Sequence, residues 1–146
     1  MRTVADDVLP VSIPASIENP LQRHRLDANR YIEEAELLAA VRAVPHLYIL
    51  FHHAATHIYA KALAEAQLDF RHNVYFDFQR VDFIAQDAMA QLYKYAGADR
   101  VIFGTGCPLH IPDVQLVKMA QWDKFCLEKP DSAAWDNLSA LIRDII

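Results

Sequence analysis

Four short apolar runs punctuate the chain: VLPVSI (Val8–Ile13), LYILF (Leu47–Phe51), VYFDF (Val74–Phe78) and VIFG (Val101–Gly104). Each is rich in β-branched or aromatic residues and bounded by Pro, Asn, His or Gly, which is the pattern of a strand. Leu47–Phe51 and Val101–Phe103 are apolar without alternation, so both faces of those strands are expected to be covered. Between the runs the apolar period lengthens to that of a helix. Arg30–Val44 sets Tyr31, Leu37, Leu38 and Val41 on one face, with Asp27 or Asn29 placed to cap it and Pro45 beyond its end. Thr56–Gln67 can open on Thr56 as cap. Phe83–Ala96 carries Phe83, Ile84, Met89, Leu92 and Tyr93 and halts at Gly97, a natural helix terminator. Pro112–Phe125 has Pro112 in its first turn. A last helix from near Asp131 or Ser132 bears a stripe of Trp135, Leu138, Leu141, Ile142 and Ile145.

The order is therefore β, α, β, α, β, α, β, α, α. Enough chain separates successive strands for a crossover helix, which predicts a parallel α/β sheet in a single domain spanning residues 1–146. Two architectures satisfy this pattern: an open doubly wound sheet, or four consecutive βα units of a (β/α)8 barrel. The longest irregular piece, ASIENPLQRHRLDAN, is long enough to bind a ligand or partner.

Composition narrows the function classes. At 146 residues, 53% of them hydrophobic and 23% charged, the chain is of globular type and can bury a core. Fourteen basic against nineteen acidic residues give a net charge of −5, with no basic cluster. That argues against nucleic acid or an anionic membrane as partner, because phosphate neutralisation needs grouped Lys and Arg. No apolar stretch approaches the ~20 residues of a membrane helix. MRTVADD carries acids where a secretory signal has its apolar segment, and the two cysteines, Cys107 and Cys126, lack metal-type spacing. A reducing, cytoplasmic setting is the expectation.

Three places can carry chemistry. PHLYILFHHAATH puts His52 and His53 at a strand end, where parallel α/β sheets bind ligands and metals, and His57 four residues after His53. Adjacent strand residues face opposite sides, so only one of His52 and His53 can enter a shared site. If Thr56 starts a helix, His53 and His57 do not form an i,i+4 metal clasp; hydrogen-bonded loop histidines are the plainer reading. Asp77 stands within an otherwise apolar strand. A buried carboxylate is costly unless paired, so it faces a polar cavity or meets a donor such as Arg80. Cys107 and His110 could form a nucleophile and base, although a small half-buried thiol is the simpler reading and no cysteine-hydrolase signature flanks them.

With these residues in view, the chain resembles the C-terminal half of an amidohydrolase-related protein, from the metal-dependent hydrolases and decarboxylases built on a (β/α)8 barrel. VLPVSIPASIE is similar to the family's fifth strand, VPHLYILFHHAA to the sixth, HNVYFDF to the seventh and GADRVIFGTGCPL to the eighth. The last is the most specific, since the family commonly reads A-D-R-[IV]-[LI]-F-G-[ST]-D-x-P there. WDNLSALI is similar to its terminal helix, and the likeness runs from about Val8 to Ile142.

The resemblance implies a zinc-like divalent metal held at the strand ends. Two of its histidines would come from the first strand, one each from the fifth and sixth, and an aspartate on the eighth would bind metal and take a proton from the attacking water. The cation lowers the water's pKa and the carboxylate deprotonates it. Transferred position by position, the sixth-strand ligand falls on His53, the fifth-strand histidine on Pro14 and the eighth-strand aspartate on Gly106. IENPLQRH is similar to a loop of divergent branches, so Glu18, Arg23 and His24, with Cys107, are expected to line a pocket for a small-molecule ligand. Because key ligands are altered, the implied activity is that of a divergent hydrolase of C–N, C–O or C–C bonds, weak or absent in the isolated chain. Completion by a partner chain and non-catalytic binding are the alternatives. A half barrel leaves two strand edges open. A homo-oligomer, a complementary barrel half or an open helix-covered sheet would each resolve that.

Overall fold

A computed structural model describes residues 9–15, 32–52, 56–79, 88–107, 111–120 and 132–145. The elements run β1 (Val11–Pro14), α1 (Glu34–Ala43), β2 (Ile49–His52), α2 (Thr56–Glu65), β3 (Val74–Asp77), α3 (Ala88–Ala96), β4 (Val101–Ile102), α4 (Pro112–Ala120) and α5 (Asn137–Ile145). A 3-10 turn, Ala98–Arg100, leads into β4, and a π-helical turn, Ser132–Asp136, leads into α5. This is the expected alternation, and all three strand pairings are parallel.

The four strands lie in the order β1-β2-β3-β4, so sequence neighbours are sheet neighbours and the order never reverses. Ile49, Phe51, Val74, Phe76 and Val101 share one core with Leu37 and Val41 of α1, Tyr59, Ala60 and Leu63 of α2, and Met89, Leu92 and Tyr93 of α3. All three crossover helices thus cover one face, as same-handed connections between consecutive parallel strands require. Phe51 anchors this layer, its ring 4.6 Å from that of Tyr59 and 6.3 Å, edge-on, from that of Phe76. On the opposite face Tyr75 and Ile102 pack with Leu141 of α5, and Tyr48, Leu50 and Leu138 lie against them. The central strand β3 is buried along its whole length, which is why VYFD lacks alternation.

Several boundaries differ from the sequence expectation. Helix α1 starts at Glu34, where the Glu33 N–H donates to Glu36 Oε2 at 2.9 Å; this local bond replaces a cap at Asp27 or Asn29, which lie outside the described residues along with Tyr31. Helix α3 begins at Ala88 in the described chain and ends at Gly97 as expected. Gly97 has φ +91°, and its N–H reaches Tyr93 O at 3.0 Å. Phe103 and Gly104 leave the ladder after Ile102.

The last helix departs most. Leu141 is buried and Leu138 partly so, but Trp135 is 71% exposed and Ile142 also faces solvent. The π turn accommodates an extra residue per turn and rotates the apolar stripe, so that Asn137 points inward instead. Its Nδ2 donates to Ala98 O and Val101 O, both at 2.6 Å.

Candidate functional site

Strand register assembles the site. Pro14, His52, Asp77 and Ile102 form one row across the carboxyl ends of the four strands, and Ser12, Leu50 and Tyr75 form the row two residues earlier. Side chains two apart along a strand share a face, so Ser12, His52 and Asp77 all emerge on the side away from α1, α2 and α3. His52 and Asp77 are directly opposite; Ser12 and His52 are diagonal neighbours, a spacing that side chains of this size can bridge.

They do so. His52 Nδ1 lies 2.8 Å from Asp77 Oδ2, and His52 Nε2 lies 2.7 Å from Ser12 Oγ. The second carboxylate oxygen, Asp77 Oδ1, accepts the Gln79 N–H at 2.7 Å. With the carboxylate ionised and the ring neutral, these contacts select one tautomer. An ionised carboxylate only accepts, so His52 must donate through Nδ1. In a neutral ring Nε2 then carries the lone pair, and the Ser12 hydroxyl donates to it. The three groups also differ in access. Ser12 is exposed, the His52 side chain retains 18% of its surface and the Asp77 side chain 7%. Buried carboxylate, half-buried imidazole and open hydroxyl form a hydrogen-bonded chain leading outward.

Gly104 makes room for the innermost member. A Cβ at that position would lie 2.2 Å from Asp77 Oδ2 and 2.5 Å from Oδ1. The main chain following β4 therefore passes against the carboxylate, and only glycine allows it. Gly106, where the resemblance expects an aspartate, has φ +70°. This left-handed conformation suits glycine and disfavours a side chain.

His57, in the first turn of α2, is separate from this chain among the described contacts. Its Nδ1 is buried without a hydrogen-bond partner among the described residues, and burial pushes its pKa below the usual 6.5, keeping the ring neutral. Thr56 is the first residue of α2 among the described residues, and His53 lies outside them.

Glu18, Arg23, His24 and His53 lie outside the described residues, as do Arg80, His110 and Cys126. Cys107 is an exposed free thiol in the loop after β4, its N–H donating to Thr105 Oγ1 at 3.3 Å. Asp77 was expected to need a donor, and among the described residues His52 supplies one. Sequence reasoning missed Ser12 altogether. The available signal was parity: once the strand is taken to end at His52, Leu50 and His52 share a face with Ser12, Tyr75 and Asp77.

The described residues do not by themselves supply the implied metal's donors, and His53 lies outside them. Both His52 nitrogens are engaged, Pro14 has no side-chain donor and Gly106 has no side chain. Among the described residues, no three His, Cys, Asp or Glu side chains are grouped to hold an ion. No family description, curated protein or solved structure matches the chain. Among the described residues, no helix is long and apolar enough to cross a membrane.

Proposed function

We propose that the chain is a divergent amidohydrolase-type domain that has exchanged the metal cage for an oriented imidazole, and that it acts weakly on small-molecule substrates without a bound cation. The consecutive strand order, the crossover helices on one face and the eighth-strand-like ADRVIFGTG support descent from four βα units of a barrel. One observation carries the functional reading: His52 is held at the strand ends with its Nδ1 2.8 Å from Asp77 Oδ2 and its Nε2 2.7 Å from Ser12 Oγ. An imidazole oriented by a buried carboxylate can accept a proton from one partner and return it to another. The bonds addressed are the C–O and C–N bonds of the family's hydrolases, whose ligands reach the same end of the sheet.

The test combines metal content with a simple reaction. Purified protein is expected to hold far less than one equivalent of zinc and to hydrolyse p-nitrophenyl acetate slowly and indifferently to chelator. Replacing His52 with Ala should lower that rate by about 10²-fold, the lower range for removing a positioned acid–base group. Stoichiometric zinc with chelator-sensitive turnover would instead favour a metal centre involving His53 and donors from a partner chain.

A further inference from the structure

We infer that Ser12 is a nucleophile, and that Ser12, His52 and Asp77 constitute an acyl-transfer relay for small carboxylic esters. The inference rests on the proposed hydrolytic site and adds a covalent step that a metal-activated water would not need. A serine hydroxyl is a poor nucleophile by itself and becomes competent when an adjacent base takes its proton during attack. All three requirements of that arrangement are present: a hydroxyl 2.7 Å from Nε2, a carboxylate 2.8 Å from Nδ1, and a second bond, Gln79 N–H to Asp77 Oδ1, that fixes the carboxylate. The relay is recognised by geometry and roles rather than by chain order or fold. Ser12 is also the one member open to solvent, so an ester can reach the atom that must attack.

The step balances within the chain and one water. Ser12 Oγ adds to the ester carbonyl carbon while its proton passes to His52 Nε2, and Asp77 stabilises the resulting imidazolium. The tetrahedral adduct collapses, the C–O bond to the alcohol breaks, and the departing oxygen takes the proton from His52. Water then gives a proton to His52 and adds to the acyl-Ser12 carbonyl. Collapse releases the carboxylic acid and returns the proton to Ser12. Esters are favoured over amides because they leave more readily when the relay supplies nucleophile and base alone. Elsewhere, removing a single oxyanion donor costs about 10²–10³ in rate. Slow turnover is therefore expected, and single-step covalent capture is the better readout.

An alkyl fluorophosphonate provides that readout: Ser12 Oγ–P forms, P–F breaks, and the serine proton leaves with fluoride by way of His52. Intact-mass analysis and peptide mapping should place one adduct on Ser12. The adduct should be absent from Ser12→Ala and form at least ~100-fold more slowly in His52→Ala. Circular dichroism should show both variants folded. No adduct at reagent levels that saturate a reference serine hydrolase, an adduct elsewhere, or equal labelling of Ser12→Ala would overturn the assignment. The two proposals separate cleanly. If Ser12→Ala still hydrolyses p-nitrophenyl acetate while His52→Ala does not, His52 activates water directly; the site stands and the nucleophile does not. If His52→Ala retains full hydrolysis, both fall.

Discussion

Gly104 governs how closely the loop after β4 approaches the Asp77 carboxylate, and it is the most exacting position near the site. Gly104→Ala would put a methyl carbon 2.6 Å from Asp77 Cγ as well as on both oxygens. Either the carboxylate or the main chain must move, at a cost of about 1–3 kcal/mol for overpacking. Urea denaturation should record that loss. Nitrogen NMR of His52 should show a mixture of tautomers, because the group that holds the proton on Nδ1 has been displaced. His57 makes a different prediction, concerning acidity. Its folded-state pKa is lowered by burial. Well above pH 6.5 the ring is neutral whether the chain is folded or not, and its contribution to stability is constant. As pH falls through 6.5 the unfolded chain takes up a proton that the folded chain resists, so stability declines until the folded ring is itself protonated. Urea midpoints measured from pH 8 to pH 5 should fall more steeply for the parent than for His57→Leu. At this scale the sequence was only partly legible. It showed that Asp77 required a partner and that only one of His52 and His53 could face the site. His52 is the one described at the site, His53 lying outside the described residues, and Ser12 looked like an ordinary hydroxyl on an exposed strand face. Its significance comes from a contact forty positions away.

Elements were easier to read than the bonds between them. Apolar runs located all four strands, and Gly97 and Pro112 marked a helix end and a helix start, because each reflects local backbone preference or burial. The π turn before α5 was not legible, since a uniform helical period projected Trp135 onto the buried stripe. Tertiary bonding prevails there: Asn137 ties the start of α5 to the carbonyls of Ala98 and Val101. Asn137→Ala is expected to cost about 1–3 kcal/mol, because it strands two acceptors beside a buried side chain. Asn137→Asp should cost more, since it sets a carboxylate against those carbonyls. Urea unfolding of both variants orders the effects.

For the whole molecule, association is the matter to measure. Ile111, Val114, Leu116 and Val117, on or beside α4, are each more than half exposed, an apolar concentration that favours burial against another chain. Strand addition at β1 is less favoured. Val11 and Ala15 direct their N–H groups to Tyr48 and His52 of the β2 side, so the alternate residues Ser12 and Pro14 turn their main chain outward, and proline has no N–H to offer. Light scattering is expected to return a mass above the 16.6 kDa of one chain. Leu116→Glu with Val117→Glu should restore the monomer, and Pro14→Thr should leave the assembly unchanged. A monomer at all concentrations would mean that the sheet and its own helices suffice.

The place of Pro14 in the register carries one more consequence. It stands directly across from His52 on the same face. Exchanging it for histidine would bring a second imidazole alongside the first, at a separation where two rings can share an ion. Copper or zinc could then displace the serine from Nε2, with Asp77 buttressing the coordinated ring from behind. By this measure a single residue separates a serine relay from a two-histidine clasp.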